Sequence, residues 1–360
     1  MVASISARKS IGAALVYFKH MAQDEYYTAE DEAEAEGEWE GRGAERLALE
    51  GQVSKHDFEA ALNGLDPKTG APLAQINNMT HAPGWDMTYS APKSVSVMWA
   101  LSSPTDRTKI ETAHKSAVRV ATRHLEDGHA FTRRGKGGRV HEPVAGLTIA
   151  RFHHHTSRDL DPQLHTHAFI FNTAPRRDGT WGTIVSRDLY KAQKETGAVY
   201  REHLANSLER EGYAVERRGT GFRMKAIPHH VERAFSKRRQ AIEQAAAKHG
   251  YRTPKGMELA ALRTRQAKRP RERSALYKSW RSEAKALGFN LAKARQQAHT
   301  PPRQIAPKSQ SRGKSATKAL PSAHQLLGHI ASLARASGSM PGIRINLRQK
   351  RADRDLEPER

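Results

Sequence analysis

The segment from Phe152 to Asn172, FHHHTSRDLDPQLHTHAFIFN, constrains this chain more than any other. Two runs with strand character flank Asp161-Pro162, and that pair favours a turn. The segment is therefore expected to fold back on itself as a hairpin. His165 and His167 lie two apart, so on a strand both imidazoles point to one face. His154 precedes His165 by 11 residues, and the turn would bring its ring to the same place. Three converging imidazoles suit one metal ion, with positions left over for water or a phosphate oxygen. His153 and His155 flank His154 and would face away from it, so they are expected to be exposed to solvent.

Strand character recurs at Asp86–Tyr89, Ser94–Ala100, Ala145–His153, Leu164–Asn172 and Phe222–Ala226. Ser103-Pro104-Thr105-Asp106 opens a helix with Ile110, Ala113, Ala117, Ala121 and Leu125 along one face. Other helical runs are Ile11–Val16, about Asp188 to Arg210, and Pro228 to near Gly250. The last carries Val231, Phe235 and Ile242 on one side. Arg176 to Trp181 reads as a turn. Strands joined by both helices and turns predict an α+β domain.

Composition narrows the function. Lys and Arg number 60 against 38 Asp and Glu, a formal charge of +22. Such a balance predicts a polyanionic partner, most often nucleic acid. Candidate phosphate contacts are Lys93 in the turn Ser90–Ser94, Arg133 and Arg134 in RRGKGGR, and Lys237-Arg238-Arg239. The absence of Cys excludes disulfides, thiolate metal sites and Cys nucleophiles. No apolar run approaches the ~18 residues of a membrane span, and no signal peptide is read, so the default is a soluble intracellular protein. Past Pro301-Pro302 the chain is rich in Ser, Lys and Pro. The expected division is a folded domain over 1–295 and a basic, flexible tail over 296–360, with Leu326 to Ala336 as a weak helix at most.

Tyr17 lies behind the first helical run, and Tyr26-Tyr27 follows nine residues later. Taken alone they are ordinary packing residues. Beside a metal ion, a phenol activated by a nearby base or cation could attack a phosphodiester. That reaction leaves a 5′-phosphotyrosyl link and a free 3′-hydroxyl, so the break can be resealed. Asp86, at a strand start, could orient a metal-bound His or accept the phenol proton. The acidic segment Asp24 to Glu40 beside the tyrosines has no role in this scheme.

These segments together resemble the TrwC/TraI-type (MobF) conjugative relaxases of the HUH endonuclease superfamily. IGAALVYFKH…DEYYTAED, EWEGRGAERLALEGQVS, DMTYSAPKSVSVMWAL, the histidine segment and DGTWGTIVSRDLYKAQKETGAVYREHLANSLEREGY carry the resemblance, in family order over about residues 1–295. It implies a palm built on a central antiparallel sheet, with helical fingers that wrap single-stranded DNA. It implies site- and strand-specific nicking of transfer-origin DNA, with Tyr17 as first nucleophile and Tyr26, next to Tyr27, for a later strand transfer. His154, His165 and His167 would hold the metal, and Asp86 would support them. The family's ion is Mg or Mn, whereas three imidazoles by ligand preference suit Zn, Mn or Ni. The implied partners are the single strand and adjacent hairpin of the transfer origin, accessory transfer proteins and a coupling protein. The implied setting is the bacterial cytoplasm, with passage alongside DNA into a recipient cell.

Three features depart from the family pattern. Phe18 replaces a second hydroxyl beside Tyr17, Thr166 is polar where the superfamily name implies an apolar residue, and no Gly-x-x-x-x-Gly-Lys-Ser/Thr phosphate loop for a helicase is present. Alternative readings are a rolling-circle replication initiator, a non-catalytic basic DNA-binding protein, and a three-His hydrolase of small molecules.

Overall fold

The structure, a computed structural model, describes residues 3–8, 10–22, 37–74, 82–265 and 272–298. Tyr26, Tyr27, the acidic stretch up to residue 36 and the segment Leu326 to Ala336 lie outside the described residues.

Strand β1 (Ala3–Arg8) leads into α1 (Ile11–Ala22). Next come β2 (Glu38–Glu40), α2 (Arg42–Arg46), α3 (Lys55–Leu62), β3 (Gly84–Ser90), α4 (Lys93–Leu101) and α5 (Pro104–Gly128). A short hairpin, β4 (Phe131–Arg134) and β5 (Val140–Pro143), precedes the long one, β6 (Ile149–Thr156) and β7 (Pro162–Phe171). The pair β8 (Ala174–Pro175) and β9 (Trp181–Gly182) is followed by α6 (Ser186–Arg210) and the hairpin β10 (Val215–Arg218) and β11 (Gly221–Met224). Helices α7 (His229–Ala234), α8 (Lys237–Lys248), α9 (Pro254–Arg263), α10 (Arg273–Ala286) and α11 (Leu291–Ala298) complete the described chain.

Five strands form one sheet in the order β1-β3-β7-β6-β2, every neighbouring pair antiparallel. In register, Ser6 faces Asp86, Thr88 faces His167, and His167 faces Phe152. Residues opposite one another share a face, so this register sorts the side chains into two sets. On one face Met87, Tyr89, Leu164, Ala168 and Ile170 pack with α4, α5 and α6 through Val95, Ile110, Ala117, Tyr200 and Leu204. On the other, Ala150, Phe152, Phe169 and Phe171 pack with Tyr17 and Phe18 of α1, Phe58 of α3, and Trp39. The α+β architecture with a central antiparallel sheet is the one expected.

Most expected elements form, with ends shifted by a few residues. Ser103 caps α5 by accepting the Asp106 amide at 3.3 Å, and Pro104 opens its first turn. Two expectations are corrected. Ser94–Ala100 is not a strand but the centre of α4, whose residues from Ser94 to Leu101 are all buried. Enclosed on every side, α4 shows no polar face, and its Ser-Val-Ser-Val run imitates strand alternation. The helix expected from Pro228 to Gly250 breaks at Ser236. There the buried Asp161 carboxylate accepts the Lys237 amide at 2.7 Å and so caps α8 from the hairpin turn.

Candidate active site

His154, His165 and His167 converge on the sheet face that carries α1. Their ring centroids are 5.1–5.3 Å apart, and one ring nitrogen from each lies within 4.8 Å of the others. The hairpin register explains this: His154 is paired with His165, and His167 lies two residues along the same strand face. A carbonyl oxygen accepts only, so His165 Nδ1, 2.9 Å from the Gln163 carbonyl, carries the proton and leaves Nε2 as the ligand atom. His167 Nδ1 sits 3.0 Å and 3.1 Å from the two Asp86 carboxylate oxygens, and 3.1 Å from Thr88 Oγ1. This likewise turns its Nε2 inward. Burial holds His165 well below its ordinary value, so it stays neutral, as ligation requires. The donor set suits a divalent cation.

Tyr17, on α1, is 7% exposed. Its ring meets the His167 ring edge-on at 6.0 Å. The Arg8 guanidinium lies over the Tyr17 ring, 3.8 Å from its centroid, and pairs with Asp86 at 3.1 Å. Burial first, and the Asp86 charge second, push the phenol well above 10, while Arg8 pulls the other way. Burial alone would raise the Asp86 carboxyl, but His167 and Arg8 beside it hold it below the ordinary range. Tyr17, Asp86 and the histidine trio are thus brought together. Arg8 and Thr88 belong to the same cluster and were missed in the sequence, where a charge closing a short alternating strand is the sole signal for Arg8.

The two flanking histidines are corrected. His153 is buried on the opposite face, its Nδ1 2.7 Å from Thr166 Oγ1. His155 stacks on Trp99 with centroids 5.1 Å apart. Strand alternation turned both away from the His154, His165 and His167 cluster, but that face is covered by α4 and α5 rather than by water.

The candidate phosphate contacts are dispersed. Lys93 donates to the Pro162 carbonyl at 2.8 Å, at the triad end of the sheet, and burial pushes its amine down to about 8. Lys237 bridges Asp161 at 3.0 Å and Glu283 at 2.7 Å. Arg238 donates to the Thr264 and Ala261 carbonyls at 2.7 Å and 2.6 Å, and Arg239 pairs with Glu243. Arg134 pairs with Asp178 at 2.6 Å and Glu142 at 3.2 Å. With Arg133, Arg176 and Trp181, it lines an open groove.

Three imidazoles, a carboxylate and a buried phenol on one face of an antiparallel sheet form the arrangement that the resemblance to the HUH endonucleases implies. Comparison with known proteins narrows this to one family: the chain belongs to the TrwC relaxases, whose family model matches residues 11–287. It is 36% identical over 302 residues to the multifunctional conjugation protein TraI of Escherichia coli (strain K12). That match covers 80% of this chain and 16% of TraI, so the chain spans about a sixth of that relative's length. A metal-bound structure of conjugative relaxase TrwC in complex with oriT DNA is similar at a TM-score of 0.71 and 31% identity, over 80% of this chain and 99% of that one. TrwC complexed with a 27-mer DNA comprising the recognition hairpin and the cleavage site matches over the same shares at a TM-score of 0.69 and 30% identity. Among the described residues no helix is long and apolar enough to cross a membrane.

Proposed function

We propose that this chain nicks one strand of plasmid transfer-origin DNA through Tyr17 and remains linked to the 5′ end until the strand is rejoined. The observation that carries this reading is the placement of Tyr17, edge-on to His167 at 6.0 Å with the Arg8 guanidinium over its ring. The Tyr17 oxygen forms a bond to the scissile phosphorus, the bond from phosphorus to the 3′-oxygen breaks, and that oxygen takes up a proton. The buried phenol is protonated at neutral pH. Its proton must leave as the new bond forms, and the Asp86 carboxylate is the adjacent acceptor. Arg8 stabilises the negative charge that develops on the ring oxygen. A divalent ion held by His154, His165 and His167 would polarise the phosphate and offset its charge. Mg or Mn is the proposed cellular ion, with Zn and Ni as rivals that the imidazole set also favours.

Tyr26, beside Tyr27, is the proposed nucleophile for a second strand transfer. Lys93, Arg133, Arg134, Lys237, Arg238 and Arg239 are the proposed phosphate contacts. All but Arg133 hold an internal partner described above, so their gain on DNA is the difference between two interactions. The hairpin beside the nick site, accessory transfer proteins, a coupling protein and delivery into a recipient cell complete the proposal. The test is an oligonucleotide carrying the nick site, incubated with Mg or Mn and run under denaturing conditions. The wild-type chain gives an SDS-resistant adduct and Tyr17→Phe gives none. An unchanged adduct in Tyr17→Phe moves the nucleophile to Tyr26 or Tyr27. Mobilisation in trans of a plasmid carrying the transfer origin separates this reading from a rolling-circle initiator.

A further inference from the structure

We propose a second metal site, formed by His124, His129 and Glu195, that takes zinc or a similar borderline divalent cation and clips α5 to α6. His124 stands in the last turn of α5, and His129 is the first residue beyond it. On an unbroken helix, residues five apart point about 140° away from one another. They meet here because the chain leaves the helix at His129, where φ is −132°. Their rings then lie 5.1 Å apart, and Glu195 reaches them from α6.

The three potential ligand atoms form a tight triangle. His124 Nε2 is 3.0 Å from Glu195 Oε1, His129 Nε2 is 3.4 Å from that same oxygen, and the two Nε2 atoms are 3.3 Å apart. Tetrahedral zinc with ligands at about 2.0–2.1 Å separates them by about 3.3 Å. All three edges are close to that spacing. Hydrogen bonding satisfies the triangle poorly. If both Nε2 atoms carry protons, both can donate to Oε1, but then two N–H groups crowd each other across 3.3 Å. If one is unprotonated, its lone pair faces the carboxylate. A cation between the three uses every lone pair at once. Two imidazoles and one carboxylate are a zinc-type set, and Glu195, 56% exposed on its side chain, leaves the fourth position open to water. The site is separate from the histidine triad, since α5 and α6 cover the other face of the sheet. It does not depend on the nicking reaction.

An ion here would hold the native arrangement of α5 against α6 and be lost on unfolding, so it would raise the melting temperature. The test counts metal in the full chain. Chelator-stripped protein is reloaded with zinc, freed of excess and measured by elemental analysis, with cobalt absorption as a second reading of tetrahedral geometry. Glu195→Ala and His124→Ala should each carry one zinc fewer than wild type and lose part of the zinc-induced rise in melting temperature. Glu195→Ala places a strong helix former at an exposed position of α6, so its fold is retained. His165→Ala should lose the other equivalent independently. If Glu195→Ala and His124→Ala bind as much zinc as wild type, the site does not exist.

Discussion

Replacing Asp86 with Ala tests how the histidine trio is held. Asp86 fixes the His167 tautomer from 3.0 Å and anchors Arg8 at 3.1 Å. Without the carboxylate, His167 Nδ1 keeps Thr88 Oγ1 as a weaker partner at 3.1 Å, and its Nε2 loses both orientation and basicity. Loss of such a supporting carboxylate lowers metal affinity about 10–100-fold. That is about 1.4–2.7 kcal/mol. Asp86→Asn keeps an acceptor but removes the charge, so it should fall between the two. The assay is competition for Mn or Zn against a chromophoric chelator at neutral pH, in a His124→Ala background so that one site is read. His165, locked by the Gln163 backbone, serves as the internal reference because Asp86→Ala leaves its support untouched. An Asp86→Ala affinity within about threefold of the parent would refute the claim that Asp86 acts through His167.

Thr166→Val is nearly isosteric but removes the hydroxyl that His153 Nδ1 and His114 Nε2 approach at 2.7 Å and 2.8 Å. Each buried nitrogen left unpaired costs about 1–3 kcal/mol, a loss that urea unfolding would read as a lower midpoint at unchanged slope. Burial holds His114 at about 3, against an ordinary 6.5. The unfolded chain gains a proton as pH falls below 6.5 while the folded chain stays neutral down to about 3, so stability falls across that window. The slope reaches about 1.4 kcal/mol per pH unit, and His114→Leu should flatten it in urea melts recorded over that range. Phe58 is fully buried and contacts Phe18, Phe152, Phe169 and Phe171, so Phe58→Ala should cost about 3–5 kcal/mol by the same measurement. Removing residues 301–360 should leave cleavage of short oligonucleotides near wild type, and its loss would refute the proposed division of the chain.

The histidine centre was legible because its geometry is local. Period-two alternation, an Asp-Pro turn and an 11-residue spacing suffice to place three rings on one face. Tyr17 was not legible from periodicity, because its position depends on sheet order. Strand β1 pairs with β3 and β3 with β7, and that order sets Arg8 and the helix after it against His167. Only the order of family segments pointed there. His153 and His155 failed for a different reason: alternation tells which face a side chain takes but not what covers that face. For the basic residues the sequence did not disclose their internal partners: Asp161, Glu283, Glu243 and two carbonyls already engage the run Lys237-Arg238-Arg239.

Thr166 shows how a departure from the family pattern is accommodated. Strand β7 sends His165 and His167 toward His154 and Thr166 to the other face, where it is fully buried. An unpartnered hydroxyl there would destabilise the sheet directly behind the histidine cluster. Instead Thr166 meets His153 and His114, and His114 Nδ1 meets the Tyr200 hydroxyl at 2.8 Å. Burial keeps His114 neutral, so one of its nitrogens donates and the other accepts, and both contacts are satisfied. The chain continues outward, with His153 Nε2 3.9 Å from Glu38, whose carboxylate pairs with the buried Arg151 at 3.0 Å. The hydrogen-bonded part of this network, Thr166 with His153 and His114 and His114 with Tyr200, rigidifies what it touches and ties β7 to β6, α5 and α6. The polar middle residue thus belongs to a set with His114, His153 and Tyr200, and substituting any one member alone should cost more than substituting the set by apolar residues of matching shape.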